Sequence, residues 1–166
     1  KLFRMTAKGK FSAGIFAGAT INTPSMLVIE DAIDAMTWAQ SIGGLPALIK
    51  RSEDSLELVK DWVKVSPDYD FLAEDPATIS NTGITLKITD TWFVSQNDDK
   101  KAEIAAAIDR LLQAEGVALD AASYRDAPPG IRIWAGPTVE PSDVALLLPW
   151  LDWAYAQIVG TADIAA

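Results

Sequence analysis

Tyr124-Arg125-Asp126-Ala127-Pro128-Pro129-Gly130-Ile131-Arg132-Ile133-Trp134 is the stretch on which the reading of this chain turns. It sets two arginines seven positions apart on either side of a stiff Pro-Pro-Gly turn, the second inside an apolar strand pattern. Side chains alternate across a strand, so Ile131 and Ile133 share one face and Arg132 and Trp134 the other. A guanidinium half-buried beside an indole needs an anionic partner, because an unpaired buried charge is costly. That partner is either a carboxylate or phosphate of a ligand, gripped in bidentate fashion, or one of the chain's own many Asp and Glu residues in a structural ion pair. Spacing alone leaves both open.

Outward from this segment, the composition bounds the answer. The chain has 166 residues, 49% apolar and 22% charged, the balance of a folded protein with room for one full domain, or for a small domain plus part of another. A net charge of −9 argues against a nucleic-acid-binding surface. The longest strongly apolar run, Val144 to Leu151, is too short to span a bilayer and contains Pro149. With no cysteine and no histidine, disulfides, thiol chemistry, His–metal sites and a self-contained Ser-His-Asp triad are all excluded within these residues. Lys1-Leu2-Phe3-Arg4-Met5 has no initiator methionine and already reads as a strand, so the expectation is a piece of a longer protein.

The pattern predicts strands at Leu2–Thr6 and Ser12–Phe16 about a Lys8-Gly9-Lys10 turn, then a helix to about Ser41 with Thr23 as N-cap and Pro24 in its first position. Gly43-Gly44 breaks that helix, and a longer one runs from Pro46 to Lys64. Ser66-Pro67-Asp68 is the sharpest boundary signal. Beyond it come strands at Tyr69–Ala73 and Ile84–Thr89, an amphipathic helix over Asp98–Glu115 stopped by Gly116, and a short strand at Val117–Leu119. The arginine strand follows at Gly130–Ala135, then a helix over Val144–Val159 that Pro149 should kink or interrupt. The expected fold class is α/β, with the layer of strands and helices beginning near Tyr69.

Asn22-Thr23-Pro24 offers polar side chains at a helix N-terminus, where free N–H groups favour an anion; ordinary capping is the competing explanation. The carboxylate pairs Asp31/Asp34 and Glu74/Asp75 have no other ligand type beside them and support no acid–base or metal site. The six tryptophans suit packing positions, Trp134 being the one to watch because it shares a face with Arg132. None of the nine lysines has the apolar setting that would make it a Schiff-base amine.

Taken together, the segments Phe3-Arg4-Met5-Thr6, Ile21-Asn22-Thr23-Pro24-Ser25-Met26, Ser41-Ile42-Gly43-Gly44-Leu45, Phe71-Leu72-Ala73-Glu74-Asp75-Pro76-Ala77-Thr78, Tyr124 to Trp134, and Pro149-Trp150-Leu151-Asp152-Trp153-Ala154 resemble, in order and spacing, the C-terminal part of the phosphoserine aminotransferases, in the form found in alphaproteobacteria. The resemblance covers nearly the whole chain. It implies a fold-type I transferase that uses pyridoxal phosphate as a cytoplasmic homodimer, with sites at the subunit interface. It implies that residues 1–67 are the end of the large domain and its bridging helices, and 68–166 the small domain. It implies that Asn22 and Thr23 contact the cofactor phosphate in the partner subunit's site. Arg132 would hold the α-carboxylate of the substrate, and Arg125 would lie where the family binds the substrate's phosphate. Substrates on this reading are phosphoserine, 3-phosphohydroxypyruvate, glutamate and 2-oxoglutarate. The family's Schiff-base lysine lies upstream of this chain, so no catalytic residue and no metal ligand is expected in it, and the chain alone should be inactive. The alternatives are another pyridoxal phosphate aminotransferase of the same superfamily, or a stand-alone α/β module that binds an anionic metabolite.

Overall fold

The computed structural model describes residues 6–19, 23–124 and 126–165. Leu2 to Met5, Asn22 and Arg125 therefore lie outside the described residues. The chain forms two compact units that divide between Gly44 and Leu45.

In the first unit, β1 (Thr6–Ala7) and β2 (Lys10–Phe11) form an antiparallel hairpin pairing Thr6 with Phe11 and Ala7 with Lys10. Its turn is Lys8-Gly9, with φ of 49° and 74°. Two successive left-handed residues match the twist of the strands, as short hairpins require. The strand expected at Ser12–Phe16 is instead a 3-10 helix over Ala13–Ala17. The backbone turns back there, Phe16 stacks on Phe11 at 5.8 Å, and the Ala19 N–H bonds the Gly14 carbonyl at 2.8 Å. Small residues such as Ala13, Gly14 and Ala17 have little side chain with which to hold a strand.

Helix α1 (Met26–Ser41) has the expected length, but its N-cap is Ser25, not Thr23, and the Ser25 side chain makes no capping bond. Not one residue of α1 is buried, although Met26, Leu27, Val28, Ile33 and Met36 are large and apolar.

The second unit begins at Leu45, the second residue of α2 (Gly44–Val63), and is built on a three-stranded antiparallel sheet. Strands β3 (Tyr69–Phe71), β4 (Gly83–Ile88) and β5 (Ile131–Trp134) lie in that order. Alternation does what the sequence predicts: Ile84, Leu86 and Ile88 of β4 and Ile131 and Ile133 of β5 are buried. They share a core with Leu56 and Val59 of α2, Ile104, Ile108 and Leu112 of α4 (Asp98–Ala114), and Val144, Leu148 and Leu151 of α5 (Pro141–Ala165). A short helix, α3 (Thr91–Val94), anchors Phe93 in the same core. It was not legible in the sequence, being a single turn made by its cap: Asp90 accepts from the Phe93 N–H at 3.1 Å. Val117–Leu119 forms no strand; α4 ends at Ala114, Gly116 follows its Glu115 cap with φ 69°, and the chain continues irregularly. Pro149 does not interrupt α5, which continues past it to Ala165. Proline removes a bond to the carbonyl four residues back, and Ala145 and Pro149 are both exposed, so water can satisfy that carbonyl.

Side-chain contacts from Arg51, Tyr155 and Tyr69 tie the unit together. Arg51 of α2 donates to the Pro137 carbonyl at 2.7 Å and pairs with Glu140, bracing the segment before α5. Tyr155 of α5 donates to the Asp90 carboxylate at 2.7 Å, and Tyr69 donates to the Leu151 carbonyl at 3.2 Å. Burial pushes the Asp90 pKa up. The bonds from Tyr155 and from the N–H groups of Phe93, Trp92 and Thr91 outweigh that and hold it below the usual carboxylate value. Asp68 is shifted the other way, raised by burial and then by the charges of Asp90 and Asp152.

Two outcomes follow for stability. A Cβ at Gly130 would run into the Leu86 carbonyl across the β4–β5 ladder, so Gly130→Ala should cost about 1–3 kcal/mol in denaturant titration, the usual range for forced overpacking. An unchanged midpoint would contradict this close approach. Because the Asp90 pKa is lowered in the fold, its contribution is complete above the ordinary carboxylate value and is lost as pH falls through the lowered one. Tyr155→Phe should therefore cost about 1–2 kcal/mol at pH 7 and progressively less below about pH 4. A loss independent of pH would mean that the hydroxyl matters only for packing.

Candidate functional site

The second unit positions Arg132 by core packing. Its neighbours Ile131 and Ile133 are 1% and 2% exposed, so the arginine leaves β5 on the opposite face together with Trp134. Its backbone N–H donates to the Ala121 carbonyl at 2.8 Å, while the Ala121 N–H donates to the Asp109 carboxylate of α4 at 2.7 Å. Ala121 is thus clamped between β5 and α4, and the loop that carries Asp120, Ser123 and Tyr124 is drawn over the guanidinium. Asp120, φ 57°, is left-handed, a region that Asp tolerates better than most residues.

Around the guanidinium the contacts are specific. The carbon at its centre lies 4.8 Å from the Tyr124 ring centroid and 5.1 Å from that of Trp134, within reach for cation–π attraction. One terminal nitrogen, Nη2, pairs with the Asp120 carboxylate at 2.7 Å. Nε is buried and has no hydrogen-bond partner among the described residues. The Arg132 side chain is 12% exposed and that of Asp120 68%. A cavity of about 380 Å³ opens here, lined by Asp120, Ser123, Tyr124, Asp126, Arg132 and Trp134. A smaller one of about 160 Å³, lined mainly by apolar groups that include Val117, Val144 and Leu147, shares Arg132 and Trp134 with it.

Of the residues singled out in the sequence, Arg132 is thus half-enclosed with an anionic partner from its own chain. Trp62, Trp92 and Trp153 pack against the core as expected, whereas Trp38 and Trp150 do not, and Trp134 is the most exposed of the six at 60%. Thr23 is exposed and precedes the Ser25 cap of α1, in the first unit. Arg125 and Asn22 lie outside the described residues. Sequence reasoning missed Asp120 and Tyr124. Nothing in the local pattern distinguishes Asp120 from the other carboxylates. Tyr124 had only its nearness to the arginines to mark it.

The described lysines offer no reactive amine. Lys50, Lys60, Lys64, Lys100 and Lys101 each face a carboxylate one turn away on their own helix, and Lys87 faces Asp70 across the sheet. The Lys64 pKa is raised, chiefly by its bond to Asp61, which is the wrong direction for a nucleophile. Lys8 and Lys10 are exposed at the hairpin. The residues present therefore do not fit the amine to which pyridoxal phosphate would be bound. Among the described residues no group of three or more carboxylates could hold a metal ion, and no helix is long and apolar enough to cross a membrane.

Comparison with known proteins matches this architecture. No family model matches the chain. Phosphoserine aminotransferases of Methanosarcina barkeri and Methanosarcina mazei are 43% and 41% identical to it over 93% of its length. A putative phosphoserine aminotransferase of Mycobacterium leprae is 30% identical over 81%. The chain spans 39% of the length of the first two and 33% of the third. A solved phosphoserine aminotransferase, studied for radiation damage of its Schiff base, superposes on 86% of the chain with a TM-score of 0.64 at 16% identity, the chain covering 36% of it. Mouse CSAD superposes on 70% with a TM-score of 0.51 at 12% identity, the chain covering 25% of it. At such identities the structures speak for the fold alone, a mixed arrangement of helices and a small antiparallel sheet of the kind found in fold-type I pyridoxal phosphate enzymes. Over nearly all of its length, then, the chain is a homologue of the phosphoserine aminotransferases and corresponds to about two-fifths of theirs.

Proposed function

We propose that this chain is the C-terminal part of a phosphoserine aminotransferase, and that Arg132 holds the substrate's α-carboxylate. The observation that carries the reading is the state of Arg132. Its guanidinium lies between two aromatic rings at the mouth of a cavity, paired among the described residues only through Nη2 with a mostly exposed carboxylate, in a chain 43% identical to such an enzyme. A planar fork held this way orients a carboxylate, and orientation is a large part of what an aminotransferase contributes to reaction at the α-carbon. Pyridoxal phosphate supplies the electron sink in such enzymes when bound. The amine that carries it would come from outside these residues, so the chain by itself is inactive.

On the same reading the complete protein is a cytoplasmic homodimer that exchanges an amino group between phosphoserine and 2-oxoglutarate, with 3-phosphohydroxypyruvate and glutamate as products. Arg125 binds the substrate's phosphate. Asn22 and Thr23 meet the cofactor phosphate of the partner subunit, and residues 1–67 belong with the large domain.

The test is kinetic. The chain joined to the coding sequence upstream of it should transaminate phosphoserine with 2-oxoglutarate, whereas the 166 residues alone should not. Arg132→Lys should raise KM for phosphoserine and for glutamate alike, by about tenfold or more, the scale of one charge-assisted contact. Arg125→Gln should impair phosphoserine far more than a donor without a phosphate. Equal losses for the two donors would remove the phosphate role from Arg125.

The binding role also makes a prediction for stability, which a structural role would not share. Its ion-pair partner is mostly in water, so deleting the arginine strands no buried charge, and Nε leaves the interior with it. Arg132→Met should leave folding stability within about 0.5 kcal/mol of the parent in urea titration. A loss of about 3 kcal/mol or more would instead make the arginine a structural element.

A further inference from the structure

Resting on the carboxylate-binding role of Arg132, we propose that Asp120 is an internal competitor for that arginine, an acid from the chain itself that an incoming carboxylate must displace, and so a residue that sets affinity at the site. The two partners of the ion pair are not equivalent. Arg132 is 12% exposed and held by the Tyr124 and Trp134 rings, so it stays where it is. Asp120 is 68% exposed and joined to it through one contact, Oδ2 to Nη2 at 2.7 Å, so its carboxylate can swing into water at little cost. The backbone need not follow. The neighbouring Ala121 is fastened at its N–H to Asp109 and at its carbonyl to the Arg132 N–H, and only the side-chain torsions of Asp120 have to change.

The cavity of about 380 Å³ touches both members of the pair, so an acid entering it meets the guanidinium where Asp120 already holds it. A carboxylate that offers two oxygens to the fork gains a second charge-assisted bond over the single one it displaces. An acid that can present only one oxygen gains nothing. Asp120 thereby discriminates against weakly placed anions and keeps the arginine neutralised between ligands.

Two substitutions remove the competing charge and keep the left-handed backbone, because Asn and Gly both accept φ near 57°. The Arg132 Nε–H signal in proton–nitrogen correlation spectra of the 166-residue chain, assigned by its loss in Arg132→Lys, reports occupancy during titration with 2-oxoglutarate, O-phospho-L-serine and, as a phosphate-only control, inorganic phosphate. Asp120→Asn and Asp120→Gly should each lower Kd for the two carboxylic acids about two- to fivefold, the size of an exposed ion pair. Acid binding seen only in the two Asp120 variants supports the same conclusion more strongly. If the acids bind the parent chain and the variants with the same or weaker affinity, Asp120 is no competitor and the carboxylate role of Arg132 stands. If no form responds to either acid, that role fails and the proposal fails with it.

Discussion

Everything about the site depends on how Ile131 and Ile133 are paired. They lie opposite Leu86 and Ile84 on β4, and all four side chains are sealed in the core. Full burial of such a residue is worth about 1.5–3 kcal/mol, so a slip by one position would lose several kcal/mol and would drive the Arg132 guanidinium into an apolar interior as well. Gly130 fixes the same register from one end, since only a residue without a side chain can approach the Leu86 carbonyl as it does. The arginine's direction is therefore set by its neighbours rather than by any partner of its own. That is the kind of rigid support a binding residue needs, because the element holding it is stable whether or not a ligand is present.

Arg51 shows what a structural arginine looks like in the same unit. It reaches from α2 to the Pro137 carbonyl and to Glu140, joining segments that are distant in sequence, and its hydrogen bonds brace the start of α5. Arg132 connects much less. Its carboxylate partner is twelve residues away in a loop already fastened through Ala121, and its buried Nε bonds to nothing among the described residues. A buried donor without a partner costs free energy that folding alone would not favour. The asymmetry between the two arginines is the physical reason to assign one to the fold and the other to a ligand.

Patterns of period two and period three to four carried most of the fold into the sequence. The alternation of Ile84, Leu86 and Ile88, the helical span ended by Gly116, and the opposed faces of β5 all came through, since burial on one side is a strong and local signal. What did not come through was decided elsewhere. The segment after Phe11 curls into a 3-10 helix and stacks Phe16 on it. The turn of α3 exists because Asp90 caps it, and α5 carries Pro149 where both it and Ala145 are exposed. For the site, Arg132 and Trp134 were readable from strand alternation. Asp120 was not, because its role depends on a left-handed backbone and on a clamp from α4 that no local pattern records. The same limit applies to α1, whose apolar stripe was legible although none of it is buried in this chain.

Gripping a substrate and reacting with it make opposite demands on a cation. A grip needs a guanidinium that is always charged and held flat, which Tyr124, Trp134 and β5 supply. A reacting amine needs a pKa brought down towards neutrality, by burial or by a neighbouring positive charge. Each lysine of the second unit instead faces a carboxylate, and for Lys64 the pairing raises the pKa. The excess of acidic residues that makes the chain carry a net charge of −9 therefore works against amine chemistry throughout this unit. It works equally against loose binding of anions, so that among the described residues of this unit the shielded Arg132, at the mouth of a cavity, is suited to hold a negatively charged group. Charge composition and strand register, two unrelated properties of the sequence, thus select the same residue.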